Sequence, residues 1–316
     1  MPVPPEQLSA LASLDEAKSV RRLAVENGSP YPTMQKAVNS LAAIGLVQTT
    51  RQGRERLVSA SSPTIAGLAR ALIFDAPRQD WRAVFHGERL VLLHVLDRIR
   101  DPALTAEVLG TSRNSVYHAI RKHAPNGLLL KEKGGYHVNP RLIEFRAFLL
   151  EWNALRSTKA IRDLDPQATA MWRLGPELMF RSRKTLHAID LRYGAYSAMA
   201  AHGAPVIEKT DATTYYYSHR NLTPADAVLQ AMVAEGNESA ESANLPAKNI
   251  RAQWAAFVER HLPKPEDRKD LQRRAPIYNK SNEADAVLAF LARHDGPGFL
   301  PWNEYERFRQ QFGVTE

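Results

Sequence analysis

Gly110-Thr111-Ser112-Arg113-Asn114-Ser115-Val116-Tyr117-His118-Ala119-Ile120-Arg121-Lys122 combines a helical apolar stripe with a dense polar, basic face. Val116, Ala119 and Ile120 recur at helical spacing, so one side of this segment faces a core. The other side carries Ser112, Arg113, Asn114, Tyr117, His118, Arg121 and Lys122. Each of these can contact a phosphate or a base edge, and none is acidic. Gly110 ends whatever precedes, and Thr111-Ser112 supplies an N-cap oxygen for the free amides of the first turn. This is the pattern of the second helix of a helix-turn-helix, whose N-terminal end enters the major groove of double-stranded DNA. For the stretch in isolation, the competing reading is a solvated basic helix.

The surroundings favour the first reading. Glu88–Ile99 and Pro102–Leu109 read as two preceding helices, and Thr111–His123 as the third. Leu128–Lys131 and Tyr136–Val138 read as strands flanking Lys133-Gly134-Gly135, a basic hairpin that offers Lys131 and Lys133 to phosphate. The same order occurs earlier in the chain. Glu6–Leu14 and Ala17–Glu26 read as amphipathic helices, and Asn27-Gly28-Ser29-Pro30 as a turn. Thr33–Ile44 follows as a helix with Met34, Ala37, Val38, Leu41 and Ile44 inward. After Gly45, Leu46–Thr50 and Glu55–Val58 read as strands around Arg51-Gln52-Gly53-Arg54. Three helices and a basic hairpin, twice over, predict two winged helix-turn-helix units.

The phrase Ser29-Pro30-Tyr31-Pro32-Thr33-Met34-Gln35-Lys36-Ala37-Val38-Asn39-Ser40-Leu41-Ala42-Ala43-Ile44-Gly45-Leu46-Val47 resembles the recognition helix and first wing strand of MarR- and ArsR-type transcriptional regulators. The resemblance covers about fifty residues, a pattern shared by many winged helices. It implies groove contacts from Thr33, Gln35, Lys36 and Asn39. Arg51, Arg54 and Arg56, around the wing tip, would then reach phosphate or the minor groove.

The expected organisation is a first winged helix over 1–62, a linker helix and connector over 63–86, and a second winged helix with its closing helix over 87–155. A mostly helical α+β domain over 156–316 would follow, making the whole chain α+β. Pro140–Trp152 is the closing helix, for core packing or for pairing in a homodimer. In the last domain, Thr213–Tyr217 reads as a strand with only the middle tyrosine buried. Thr223-Pro224-Ala225-Asp226 opens a helix, with proline at its first position and an acid in its first turn. The Tyr-rich strand followed by this Leu-Thr-Pro-Ala-Asp segment resembles abortive-infection type E antitoxins. In that family a winged helix is joined to a domain that neutralises a nucleotidyltransferase toxin, although the winged helix is single there.

Bulk properties agree with a polyanionic partner. The 316 residues carry a formal charge of +8. Residues 1–155 hold 20 Lys and Arg against 14 Asp and Glu, an excess of six, and the remainder 22 against 20, an excess of two. The basic surplus therefore lies with the two reading helices. No apolar run approaches a bilayer-spanning length, no signal pattern opens the chain, and no polybasic cluster suits a membrane surface. The chain has no cysteine, which excludes disulfides, thiolate metal sites and cysteine nucleophiles and fits a cytoplasmic, nucleoid-associated protein.

No enzyme emerges from the motifs. Phosphate-cradling glycine loops and paired metal-ligand histidines are absent, so neither cofactor nor metal is expected. Arg113 with His118, and Arg181 with His187, have a ribonuclease-like spacing, but the first pair falls where groove contacts are expected. Arg181, Arg183 and Lys184 form a basic cluster read as a solvated face. The expected function is sequence-specific DNA binding in transcriptional regulation, with the C-terminal domain taking an effector or a protein partner. An antitoxin and a plasmid replication initiator, which also uses paired winged helices, are the alternatives.

Overall fold

A computed structural model describes residues 5–53, 55–75, 79–85, 87–132, 135–204, 212–239, 248–293, 302–312 and 314. It combines helices with small antiparallel sheets, an α+β chain. The chain divides into two compact units, Met1–Ala160 and Ile161–Glu316.

The first unit opens with α1 (Glu6–Ala12), β1 (Lys18–Ser19), α2 (Val20–Glu26), α3 (Tyr31–Ala43), β2 (Val47–Gln52) and β3 (Glu55–Ala60). The three strands form an antiparallel sheet in the order β1-β3-β2. One helix over Ala17–Glu26 is expected from periodicity, but α2 starts at Val20. Lys18 and Ser19 instead pair with Val58 and Leu57, and the Ser19 side chain caps the helix by accepting from the Arg22 amide at 3.3 Å.

After α4 (Pro63–Asp75) and α5 (Trp81–Val84), the order returns as α6 (Gly87–Ile99), α7 (Pro102–Leu109), α8 (Arg113–His123), β4 (Leu129–Glu132), β5 (Gly135–Val138) and α9 (Ile143–Leu164). The two series correspond at a constant spacing of 82 positions. Leu8, Leu11 and Leu14 correspond to Leu90, Leu93 and Leu96, all buried. Gly28 and Gly110 end the second helices with φ of +58° and +61°, a left-handed turn that suits glycine. Met34 and Val38 match Val116 and Ile120 in the core, and Gly45 matches Gly127, at φ +75° and +69°.

The hairpins keep the same root. The Ser61 amide donates to Leu46 O and the Asn139 amide to Leu128 O, both at 2.9 Å. The second hairpin is four residues shorter between these anchors, with four paired positions rather than six. A single bond, from the Tyr136 amide to Arg100 O at 2.8 Å, stands where β1 pairs with β3 in the first series.

One hydrophobic core runs from Leu8 to Trp152 through both series. Residues 63–86 contribute Ile65, Ala69, Leu72, Trp81, Val84 and Phe85 to it. On α9, Phe145 and Phe148 lie against Trp81 and Phe85, with ring centroids 5.1 and 5.3 Å apart. The same helix reaches the first series, where Trp152 Nε1 donates to Ile44 O at 2.9 Å and Glu151 accepts from Ser62 Oγ at 2.7 Å. Burial of large aromatic side chains on shared ground holds the two series together.

The second unit holds β6 (Thr169–Leu174), β7 (Glu177–Ser182), β8 (Leu191–Tyr193), α10 (Ala195–Ala201), β9 (Thr213–Tyr217), α11 (Pro224–Ser239), α12 (Lys248–His261), α13 (Pro265–Tyr278), α14 (Ser281–Arg293) and α15 (Trp302–Gln311). Its antiparallel sheet has the order β6-β7-β9-β8. Tyr215 and Tyr216 are both buried, contrary to the expectation of a single buried ring. β9 is an inner strand, so alternate side chains find cover on both faces. Tyr216 lies against Trp172 and Tyr278, and Tyr215 between Phe180 and Tyr193. The edge strand β8 covers only Leu191–Tyr193, and residues 205–211 lie outside the described residues.

Candidate nucleic-acid interface

α3 and α8 each bury one stripe and expose the other. α3 turns Met34, Ala37, Val38 and Leu41 inward and leaves Lys36 and Asn39 exposed, with Thr33 and Gln35 half-buried. α8 turns Val116, Ala119, Ile120 and His123 inward, and exposes Arg113, Asn114, Tyr117, His118, Arg121 and Lys122. Neither helix has an acid in its first turn, whereas α1 and α6 carry Glu6 and Glu88 there. The positive end of each of these dipoles is thus left without a carboxylate and suits an anion. In α8 the Ser112 hydroxyl caps the Ser115 amide at 3.1 Å, which fixes the helix start beside Arg113.

The β2–β3 hairpin places Arg51 directly opposite Arg56, both exposed. Like charges facing across a ladder are destabilising by themselves, and a polyanion lying over them reverses the sign. Arg56 also joins this hairpin to α3. Its NH1 donates to Asn39 Oδ1 at 2.9 Å and its NH2 to Thr49 Oγ1 at 3.4 Å. Asn39 Oδ1 further accepts from Gln35 Nε2 at 3.1 Å, and Gln35 Oε1 from the Tyr31 hydroxyl at 3.2 Å. On the β4–β5 hairpin, exposed Lys131 lies over the Tyr136 ring, 5.8 Å from its centroid. Arg54 and Lys133 lie outside the described residues.

Neither a protein-family model nor a curated protein matches the chain.

Beneath the α8 surface, His123 is buried where Leu41 stands in the first series. Its Nε2 lies 3.1 Å from Arg89 NH1. A guanidinium only donates, so Nε2 is the acceptor and the ring is neutral with its proton on Nδ1. Burial, then the Arg89 and Lys122 charges, lower its pKa to about 4.

The candidate residues therefore fall on two helices and two hairpins of one unit. Tyr31 and Thr49 join the first set, although composition alone does not single them out. The signal for Tyr31 is the spacing Tyr31–Gln35–Asn39, four and four, which puts all three on one helix face. Among the described residues no group of three His, Asp or Glu gathers as a metal site, and no helix is long and apolar enough to cross a membrane.

The second unit carries a buried ionic network. Glu177 accepts from Tyr216, from Ser218 Oγ at 2.8 Å and from Arg220. Asp226 accepts from Arg220 NH1 at 2.8 Å, Tyr278 at 2.8 Å and Arg274 NH1 at 3.1 Å. Burial, followed by Glu177 for Tyr216 and Asp226 for Tyr278, raises both phenols well above their ordinary range. Two carboxylates facing two guanidiniums form a balanced, hydrogen-bonded set, so this cluster ties β7, β9, α11 and α13 together. Beside it, a cavity of about 390 Å³ is lined by Arg192, Tyr193, His202, Asn221, Thr223 and Gln230 among others. The basic cluster is part of a second cavity with Asp165, to which Lys184 is paired at 3.0 Å.

Proposed function

We propose that residues 1–160 form two winged helix-turn-helix modules fused on one core, and that together they bind double-stranded DNA with sequence specificity. α3 and α8 are the recognition helices. The observation that carries this reading is the repeat itself. Two helices 82 positions apart bury matching stripes and leave acid-free, donor-bearing faces, each beside a hairpin with exposed cations. A solvated surface explains one such helix more readily than two that share buried stripes, preceding glycine turns and hairpin roots.

In this mechanism the wings and the helix N-termini hold phosphates and set the register, while Gln35, Asn39, Arg113 and Asn114 read base edges. Because both modules share one core, the separation of the bound half-sites is set by the protein. The role is transcriptional regulation at the nucleoid, without catalysis, and the second unit supplies an effector cavity or a protein-binding surface. The test is titration of labelled duplex DNA with the full chain at rising salt. Log affinity should fall linearly with log salt, because each neutralised phosphate releases counterions. Binding that ignores salt, or does not occur at low salt, overturns the reading.

A further inference from the structure

On α3 and its wing, Tyr31, Gln35, Asn39, Arg56 and Thr49 form one chain of hydrogen bonds, and Arg56 sets its polarity. A guanidinium has no acceptor, so the Asn39 amide atom 2.9 Å from Arg56 NH1 is its oxygen. The same oxygen lies 3.1 Å from the Gln35 side chain, so Gln35 presents its nitrogen there. The Gln35 oxygen is left to face the Tyr31 hydroxyl at 3.2 Å. Both lone pairs of Asn39 Oδ1 are thereby occupied. Its Nδ2 has two N–H groups and no acceptor among the described residues.

We propose that Arg56 is a specificity-determining residue that turns Asn39 into a pure hydrogen-bond donor, so that α3 reads guanine rather than adenine at the position Asn39 meets. The usual asparagine–adenine pair needs the amide oxygen to accept from N6 while the nitrogen donates to N7. Here that oxygen is already filled by Gln35 and Arg56. Donation alone suits the acceptor edge of guanine, N7 and O6, and secondarily O4 of thymine. Arg56 makes this choice without touching the base itself. α8 has no counterpart, since Arg121 and Lys122 stand where Asn39 and Ser40 stand in α3. The inference rests on the DNA-binding function proposed above.

The experiment is selection from a random duplex pool with the full chain, its Asn39→Ala variant and its Arg56→Met variant. The position read by Asn39 is the one whose preference disappears in Asn39→Ala. The wild type should select guanine there, and Arg56→Met should shift the guanine-to-adenine ratio toward adenine by about tenfold or more, while losing some affinity overall with one cation. Adenine at that position in the wild type overturns the proposal, as does an Asn39→Ala variant that erases no position. So does an Arg56→Met variant that keeps the guanine preference. If Arg56→Met does not bind, the wild-type and Asn39→Ala pools decide the matter alone. Absence of any selected sequence from the wild type would instead contradict the DNA-binding function.

Discussion

The two series of the first unit share glycine turns and hairpin roots yet differ in how the exposed faces of α3 and α8 are held. In α3 the amides of Gln35 and Asn39 are tied to one another and to the wing through Arg56. In α8 the corresponding face is cationic, and its bonded pair is the Ser112–Ser115 cap. Under the proposed function, the first helix is preorganised for a few base edges, whereas the second commits more charge to the duplex. The cores differ too, because Leu41 is replaced by a neutral buried His123 that leans on Arg89. A duplicated scaffold can thus keep its backbone contacts and redistribute polarity between copies.

Substitutions in the hairpins, in the core and on the exposed helix faces test how far the two series differ. Gly135 has φ +127°, and a Cβ there would stand 1.9 Å from Arg100 O, the point where the second series replaces a strand pairing with one bond. Gly135→Ala should destabilise the protein by on the order of 4 kcal/mol in urea unfolding. Gly53 in the first wing has φ +60°, but a Cβ there would meet nothing within 4 Å, so Gly53→Ala should cost only about 1 kcal/mol. Equal losses would remove the distinction between the two wings.

His123→Leu restores the residue of the first series. The unfolded chain protonates this imidazole near its ordinary pKa of 6.5, and the folded protein does so only at about 4. The unfolded state thus binds more protons between these values, so stability is full above pH 6.5 and drains as pH falls toward 4. The drain amounts to about 3 kcal/mol at most, and it should vanish from the pH profile of His123→Leu unfolding. Parallel profiles for variant and wild type would contradict a buried neutral ring.

On the reading face, Arg113→Ala should relax base preference by about 1–3 kcal/mol, measured as the affinity ratio between selected and random duplexes. An equal loss on both would make Arg113 a phosphate contact. Lys131→Ala should have the smallest effect, a uniform weakening with the salt slope reduced by about one.

Much of the first unit is legible in the sequence because its periodicity is local. Met34, Ala37, Val38 and Leu41 announce α3, and Gly45 its end. The two-residue β1 is invisible there, since Lys18 and Ser19 are strand only by virtue of Leu57 and Val58. The same holds for the tie between Asn39 and Arg56, which needs the wing folded back on the helix. In the second unit, Asp226 reads locally as a helix-start acid. Its partnership with Arg274 spans 48 positions, and no pattern of short range encodes it.

The proposed function requires both series to read one duplex. Selection from a random duplex pool, repeated with Asn39→Ala and with Arg113→Ala, measures this. Two blocks of fixed separation are expected, with Asn39→Ala losing preference inside one and Arg113→Ala inside the other. A single block lost to both variants, or no enrichment with the intact chain, would contradict it.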